Sequence, residues 1–180
     1  MKPIRIIGIG NELAGADAIG SLTIKALRAK PPRDVELLEA GLSGLGVLDL
    51  MDGAETVVLI DAVQNGQLPG TIHRLVIPDD LRVMGKQSWG SGTTSTHALG
   101  LAETLTLGHT LDALPAATLV YGIEAGQTNL GTEVSSEVRA AIKTVASAII
   151  KEVEAVICTN SNSSPIWSGW SKRSVTRSPG

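Results

Sequence analysis

The segment TVVLIDAV, residues 56–63, gives the clearest indication of the fold, because it is apolar and β-branched along almost its whole length. Runs of this kind are typical of a central strand in a parallel sheet that is covered on both faces. Residues 117–124 (ATLVYGIE) have the same character, and residues 3–9 and 34–39 predict two further strands. Residues 71–77 alternate in polarity and predict a strand nearer an edge of the sheet.

Helical segments are predicted between these strands. They cover residues 17–28, 44–51, 95–108 and 133–155, and the last has the most regular three- and four-residue apolar spacing. Residues 78–94 show no clear period and predict a long loop. Strands that alternate with helices predict an α/β fold: a three-layer sandwich with a mostly parallel sheet and helices on both faces.

The domain organisation follows from the length and from a change in composition. A chain of 180 residues suits one domain with a sizeable core. After Cys158 the sequence becomes rich in Ser and Asn and contains no acidic residue. We therefore expect one α/β domain at residues 1–156 and a disordered tail at residues 157–180.

The overall composition excludes several function classes. A net charge of −3 and only four aromatic residues (three Trp, one Tyr) argue against nucleic-acid binding. The one cysteine, Cys158, allows neither an internal disulfide nor a cysteine-based zinc site. No run approaches the roughly 20 apolar residues that a membrane span needs. The sequence thus predicts a cytoplasmic protein without a membrane partner.

Three polar residues are predicted at the carboxyl edge of the sheet, where open α/β sheets bind ligands. Asp17 begins the first predicted helix, Asp61 follows the apolar run of a central strand, and His97 lies in the first turn of a later helix. Each also has a purely structural interpretation. Asp17 would complement the helix dipole, Asp61 would form a turn, and His97 would be a surface or half-buried histidine. Together they form a suitable ligand set for Ni²⁺ or Zn²⁺. His73 and His109 are interpreted as structural or solvated.

A nucleotide-binding alternative comes from the glycines after the first strand. Gly8 and Gly10 match the start of a dinucleotide fingerprint, but Leu13 occupies the position of the third glycine. The acidic residue expected after the next strand is matched only loosely by Glu39. The context therefore favours the carboxylate and histidine set over nucleotide binding.

Four motifs occur in an order that resembles one known family. They are GIGNELAGADAIG (8–20), VVLIDAVQNGQLPGT (57–71), STHALGL (95–101) and YGIEA (121–125). In this order the motifs resemble the hydrogenase maturation endopeptidases, which remove a C-terminal extension from the large subunit of [NiFe] hydrogenases after nickel insertion. The resemblance spans about residues 4–155.

The resemblance implies a twisted five-stranded sheet and a specific chemistry. It assigns metal contact and catalysis to Asp17, Asp61 and His97. It implies that the metal is the nickel already bound to the large-subunit precursor, that no organic cofactor is needed, and that the precursor is the partner. We expect the chain to act as a monomer.

Some positions depart from the family pattern. Ala16 replaces the first acidic residue of the opening motif, and Ala125 replaces a proline. Glu39 and Leu42 stand where the family has Asp and Thr. The family's substrate contacts are therefore not assigned to the region near Glu39.

The expected mechanism is metal- or carboxylate-assisted hydrolysis. Asp61 or Asp17 would act as general base towards a water molecule at or near the metal. Cys158 lies beyond the last predicted helix and is a poor nucleophile candidate. The loop at residues 78–94, with an exposed Trp89, is expected to contribute to precursor docking. The main rival is a non-catalytic nickel-binding or docking module with the same three ligands.

Overall fold

The computed structural model describes residues 3–10, 18–41, 44–89, 100–126 and 133–160. Within these ranges the strands are β1 (Ile4–Gly8), β2 (Val35–Glu39), β3 (Thr56–Val63), β4 (Ile72–Ile77) and β5 (Ala117–Glu124). The helices are α1 (Ala18–Ala29), α2 (Gly46–Met51), α3 (Leu81–Met84), α4 (Leu101–Thr110) and α5 (Ser136–Asn160). Asp17 and His97 lie outside the described residues.

The strands form a five-stranded sheet in the order β2-β1-β3-β5-β4. All pairs are parallel except β4 with β5, which is antiparallel. The carboxyl ends of the four parallel strands and the start of β4 therefore meet at one edge of the sheet. The prediction of a mostly parallel sheet is confirmed, as is the prediction that residues 71–77 form a strand near the edge.

Helices cover both faces of the sheet, as the α/β pattern predicted. One core lies between the sheet and the α1 and α5 helices, and its fully buried members include Ile19, Val138 and Ile149. The other lies between the sheet and α2, α3 and α4, and includes Met84 and Leu105. Because side chains alternate along a strand, β3 contributes to both cores. No helix within the described ranges is long and apolar enough to cross a membrane.

Two glycines bring α1 close to β1. A Cβ atom at Gly8 would lie 2.5 Å from the carbonyl oxygen of Gly20, and a Cβ at Gly20 would collide with the backbone of Ile9. These glycines therefore allow the first turn of α1 to pack directly against the end of β1. This contact accounts for Gly8 without a bound nucleotide.

The start of α4 differs from its prediction. A helix over residues 95–108 was expected, but α4 begins at Leu101, and Gly100 has the extended angles φ −66° and ψ 169°. This backbone conformation makes Gly100 the N-cap. His97 therefore precedes α4 in the sequence and lies outside the described residues.

The predicted loop at residues 78–94 and its exposed tryptophan are also corrected. Residues 81–84 form the short helix α3. The side chain of Trp89 is buried, and its Nε1–H donates a hydrogen bond to the carbonyl oxygen of Met84 at 3.2 Å. Burial is energetically favourable for an aromatic ring whose one polar atom is hydrogen-bonded. Trp89 therefore does not present a docking surface.

The last helix extends past the predicted domain end at residue 156. α5 continues to Asn160, and Val156 and Ile157 pack against the α1-side core. The tail predicted for residues 157–180 is therefore helical in its first four residues. Its remainder lies outside the described residues.

Candidate active site

Asp61 is the member of the predicted ligand set that the structure describes. Its side chain is only 2% exposed, and its Oδ1 accepts a hydrogen bond from the backbone N–H of Ala62 at 2.8 Å. Asp61 lies in β3, in register with Gly122 of β5 and one residue past the level at which β1 ends. The alternative that it only forms a turn is wrong, because it lies inside a strand. A carboxylate buried at this edge is a strong candidate for function.

The face on which Asp61 lies follows from strand alternation. Leu59 and Val63, two residues before and after it, both belong to the core that contains α4. α4 leads into Ala117, which pairs with the first residue of β3 at the opposite edge of the sheet. The helix therefore runs away from the carboxyl edge, and its N-terminus, which follows His97 in the sequence, lies on the Asp61 side.

The start of α1 lies near the same edge, on the other face of the sheet. Ile9 and Gly10 continue from β1, and Ser21 Oγ in α1 donates a hydrogen bond to the carbonyl oxygen of Gly10 at 3.4 Å. Asp17 directly precedes α1 in the sequence. The two elements that flank the undescribed candidates thus begin near the edge that carries Asp61.

A second polar cluster at this edge was not found from the sequence. His73 and Glu124 lie on the same face of the sheet as Asp61, and the His73 Nε2 atom is 3.8 Å from Glu124 Oε2. The side chain of Glu124 is 1% exposed and that of His73 is 16% exposed. Gln87 Nε2 lies 3.3 Å from His73 Nδ1. The interpretation of His73 as merely structural or solvated missed this contact with a buried carboxylate.

Trp89 lies between Asp61 and this cluster. A Cβ atom at Gly122 would be 2.8 Å from Cη2 and 2.9 Å from Cζ3 of the indole. The ring therefore occupies the space that a side chain at position 122 would need. Val63 forms an isolated antiparallel bridge with Trp89. The indole therefore depends on Gly122 and on the end of β3 for its place beside Asp61.

Glu39 is held by an ion pair. Its Oε1 lies 2.6 Å from Arg28 Nη1 at the end of α1. The pair links β2 to α1, and this structural role accounts for the acidic residue at the end of the second strand.

A separate, partly buried network lies on the opposite face of β4 and β5. Glu152 of α5 accepts hydrogen bonds from Arg74 at 2.8 Å and from the Tyr121 hydroxyl at 2.7 Å. Burial, together with the adjacent charge of Glu152, raises the pKa of Tyr121 well above its ordinary value of 10.0. This network joins α5 to the sheet and lies away from Asp61.

The described part of the chain does not by itself form a metal site. Among the described residues, no group of three or more His, Cys, Asp or Glu side chains could hold a metal ion. Asp61 thus needs residues beyond those ranges to complete a ligand set, and Asp17 and His97 remain the sequence-based prediction.

The fold and the edge carboxylate define an α/β protein with a polar site at the carboxyl ends of its parallel strands. The chain belongs to the hydrogenase maturation protease family, whose model matches residues 22–152. The matched range includes Asp61 and His97 and begins just after Asp17. The family resemblance predicted from the four motifs is confirmed.

Individual relatives agree with this assignment. The chain is 30% identical over 123 residues to the hydrogenase expression/formation protein HupD of Thiocapsa roseopersicina, a match that covers 67% of this chain and 53% of that protein. The chain thus spans about half the length of this curated relative.

Solved structures share the fold. The hydrogenase-maturating endopeptidase HybD from Escherichia coli superposes with a TM-score of 0.69 at 23% identity, over 86% of this chain and 93% of that one. The solution structure of an endopeptidase from Escherichia coli gives a TM-score of 0.67 at 25% identity, over 82% and 89% of the two chains.

Proposed function

We propose that the protein is an endopeptidase that removes the C-terminal extension of a [NiFe] hydrogenase large-subunit precursor after nickel insertion. The observation that carries the proposal is the buried carboxylate of Asp61 at the carboxyl edge of β3, inside the family match. The precursor is the substrate and partner, and its nickel belongs to the substrate.

Asp17, Asp61 and His97 are proposed to contact that nickel from the protease side. Two carboxylates and an imidazole suit a borderline divalent ion, and three protein ligands leave positions for the precursor. The N-termini of α1 and α4, which follow Asp17 and His97, approach the Asp61 edge from both faces of the sheet. This topology supports the proposed ligand set.

Hydrolysis then needs a base near the scissile peptide. A carboxylate of the site, Asp61 or Asp17, takes a proton from the attacking water, while the nickel of the substrate polarises the reacting group. A precursor without nickel lacks the ion that the three residues recognise, so cleavage waits for metal insertion.

The proposal also covers the cellular location and the oligomeric state of the protein. We propose a cytoplasmic location, supported by the single, exposed Cys158, because a chain without cysteine pairs needs no oxidising compartment. We also propose that the protease acts as a monomer.

The decisive experiment mixes the purified protein with nickel-loaded and nickel-free precursor and follows the large subunit by mass spectrometry. Loss of the C-terminal extension from the loaded precursor alone supports the proposal. Binding of the loaded precursor without cleavage would favour the non-catalytic docking module. A thermal shift with NAD or ATP would favour the nucleotide-binding alternative.

A further inference from the structure

Glu124 ends β5 with a carboxylate that contacts two other segments of the chain. Its Oε1 accepts a hydrogen bond from the backbone N–H of Asn65 at 2.8 Å. Its Oε2 faces the Nε2 atom of His73 at 3.8 Å. The backbone of Glu124 also pairs with this region, since its carbonyl accepts from Gly70 and its N–H donates to Thr71. Glu124 therefore fixes both ends of the turn between β3 and β4.

The contact with Asn65 continues to the segment that carries Trp89. Asn65 Oδ1 accepts a hydrogen bond from the N–H of Ser88 at 2.7 Å, and the Gln64 N–H donates to the Ser88 carbonyl at 3.0 Å. Ser88 directly precedes Trp89, whose ring covers Gly122 beside Asp61. A continuous set of hydrogen bonds thus leads from Glu124 to the residue that packs next to the candidate active site.

His73 lies beside the other oxygen of the Glu124 carboxylate, Oε2. Gln87 Nε2 lies 3.3 Å from His73 Nδ1, and the other ring nitrogen, Nε2, faces Glu124 Oε2 at 3.8 Å. At 3.8 Å this contact is longer than a hydrogen bond, and the imidazole packs beside the buried carboxylate. Gln87 lies on the same segment as Ser88, so its contact with His73 also holds that segment.

We propose that Glu124 is a positioning residue for the processing reaction, an inference that rests on the function proposed above. Its carboxylate holds the turn after β3 and the Ser88–Trp89 segment in fixed positions relative to each other. This segment leads along the sequence towards His97, and β3 carries Asp61. Glu124 thereby sets the position of Trp89 beside Asp61.

The test compares Glu124→Ala and Glu124→Gln in the full chain, with kcat and KM for nickel-loaded precursor measured separately. Glu124→Ala is expected to lower kcat at least about tenfold and to change KM little, because misplacement, not lost binding, is the defect. Glu124→Gln is expected to recover most of kcat, since the amide oxygen still accepts from Asn65. Asn65→Ala removes only the acceptor for Ser88 and should lower kcat in the same sense, which keeps the test valid if Glu124→Ala does not fold.

The matched control is Glu152→Ala. Glu152 is also a partly buried, hydrogen-bonded glutamate against β4 and β5, but on the face away from Asp61. This variant should lower the melting temperature and leave kcat unchanged. Unchanged kcat in Glu124→Ala, or kcat losses in both variants that follow their melting temperatures, would overturn the positioning role.

A readout without precursor separates this inference from the proposed function. Amide hydrogen exchange at Asn65 and Ser88, relative to amides in the centre of the sheet, should rise in Glu124→Ala and not in Glu152→Ala. Absence of that rise overturns the inference whether or not the wild-type protein cleaves. Failure of the wild type to cleave, with the rise present, overturns the proposed function and leaves the positioning of the segment supported.

Discussion

Asp61 and His73 lie in register with the same residue, Gly122, from the two sides of β5. The antiparallel direction of β4 brings the start of that strand to the edge where the parallel strands end. The Cα atoms of the two residues are therefore about two strand spacings, or roughly 10 Å, apart. The edge that carries Asp61 thus also includes the start of β4.

Asp61→Asn should abolish processing and preserve the fold. The amide oxygen can still accept from the Ala62 N–H, but the side chain can neither act as a base nor attract a cation. We expect processing to fall at least about 100-fold. The free energy of unfolding should stay equal or rise, because burying an amide costs less than burying a charge. Mass spectrometry of the precursor and urea denaturation measure the two effects.

Asp80→Asn is the matched control for Asp61. Asp80 Oδ2 also accepts a backbone hydrogen bond, from Val76 at 2.8 Å, but it lies at the opposite end of β4. This variant should process precursor at the wild-type rate. Equal activity of both variants would remove Asp61 from the site.

Asp17→Asn and His97→Ala test the two proposed ligands that precede α1 and α4. Each variant should fold, as circular dichroism would show, and fail to shorten the nickel-loaded precursor, because the ligand set is incomplete. Cys158→Ser is the control, since this exposed thiol has no proposed role. Normal processing by both ligand variants would refute the assignment, and loss of activity in a folded Cys158→Ser would point to a thiol mechanism.

Gly20→Ala should destabilise the protein through the α1–β1 contact. The added Cβ would collide with the backbone of Ile9, which cannot move without displacing β1. Overpacking of this kind costs about 1–3 kcal/mol in the free energy of unfolding, measured by urea denaturation. Gly46→Ala is the control, because a Cβ there meets no atom within 4 Å and should be neutral or stabilising. A Gly20→Ala protein as stable as the wild type would show that the helix is free to shift.

Tyr121 should make stability fall at alkaline pH. Its pKa is raised in the folded state, so above its ordinary pKa of 10.0 the unfolded chain loses a proton that the folded chain retains. The unfolded state then binds fewer protons, and the free energy of unfolding decreases as pH rises. Tyr121→Phe should be less stable at neutral pH by about 1 kcal/mol, through the lost hydrogen bond to Glu152, and this deficit should shrink above pH 10.

Because Tyr121 is the one tyrosine in the sequence, phenolate absorbance reports on it alone. The absorbance should appear only as the protein unfolds. Ionisation near pH 10 in the folded protein would contradict its buried, hydrogen-bonded environment.

The sequence predicted those elements whose signal is local. β3 and β5 have the predicted bounds, because a continuous β-branched run leaves little choice of conformation or position. The candidate Asp61 followed from the same pattern, since a carboxylate directly after such a run stands out. The order of the four motifs identified the family, because each motif is also a local signal in the sequence.

Features that depend on distant contacts could not be predicted. Trp89 is buried because Gly122, thirty-three residues away, leaves room for its ring. The contact of His73 with Glu124 depends on the antiparallel register of β4, which no local pattern encodes. The start of α4 was missed because the helix was predicted from residue 95, whereas Gly100 holds the N-cap position.

The length of α5 has a practical consequence for handling the protein. The helix begins close to the turn at Gly70, where a Cβ would lie 2.7 Å from the Glu137 carbonyl oxygen, and its 25 residues extend about 37 Å from there. Cys158, an exposed thiol and the single cysteine of the chain, lies near its distal end. A fluorophore or surface linker attached there would be held far from Asp61, which makes single-molecule observation of precursor docking feasible without obstruction.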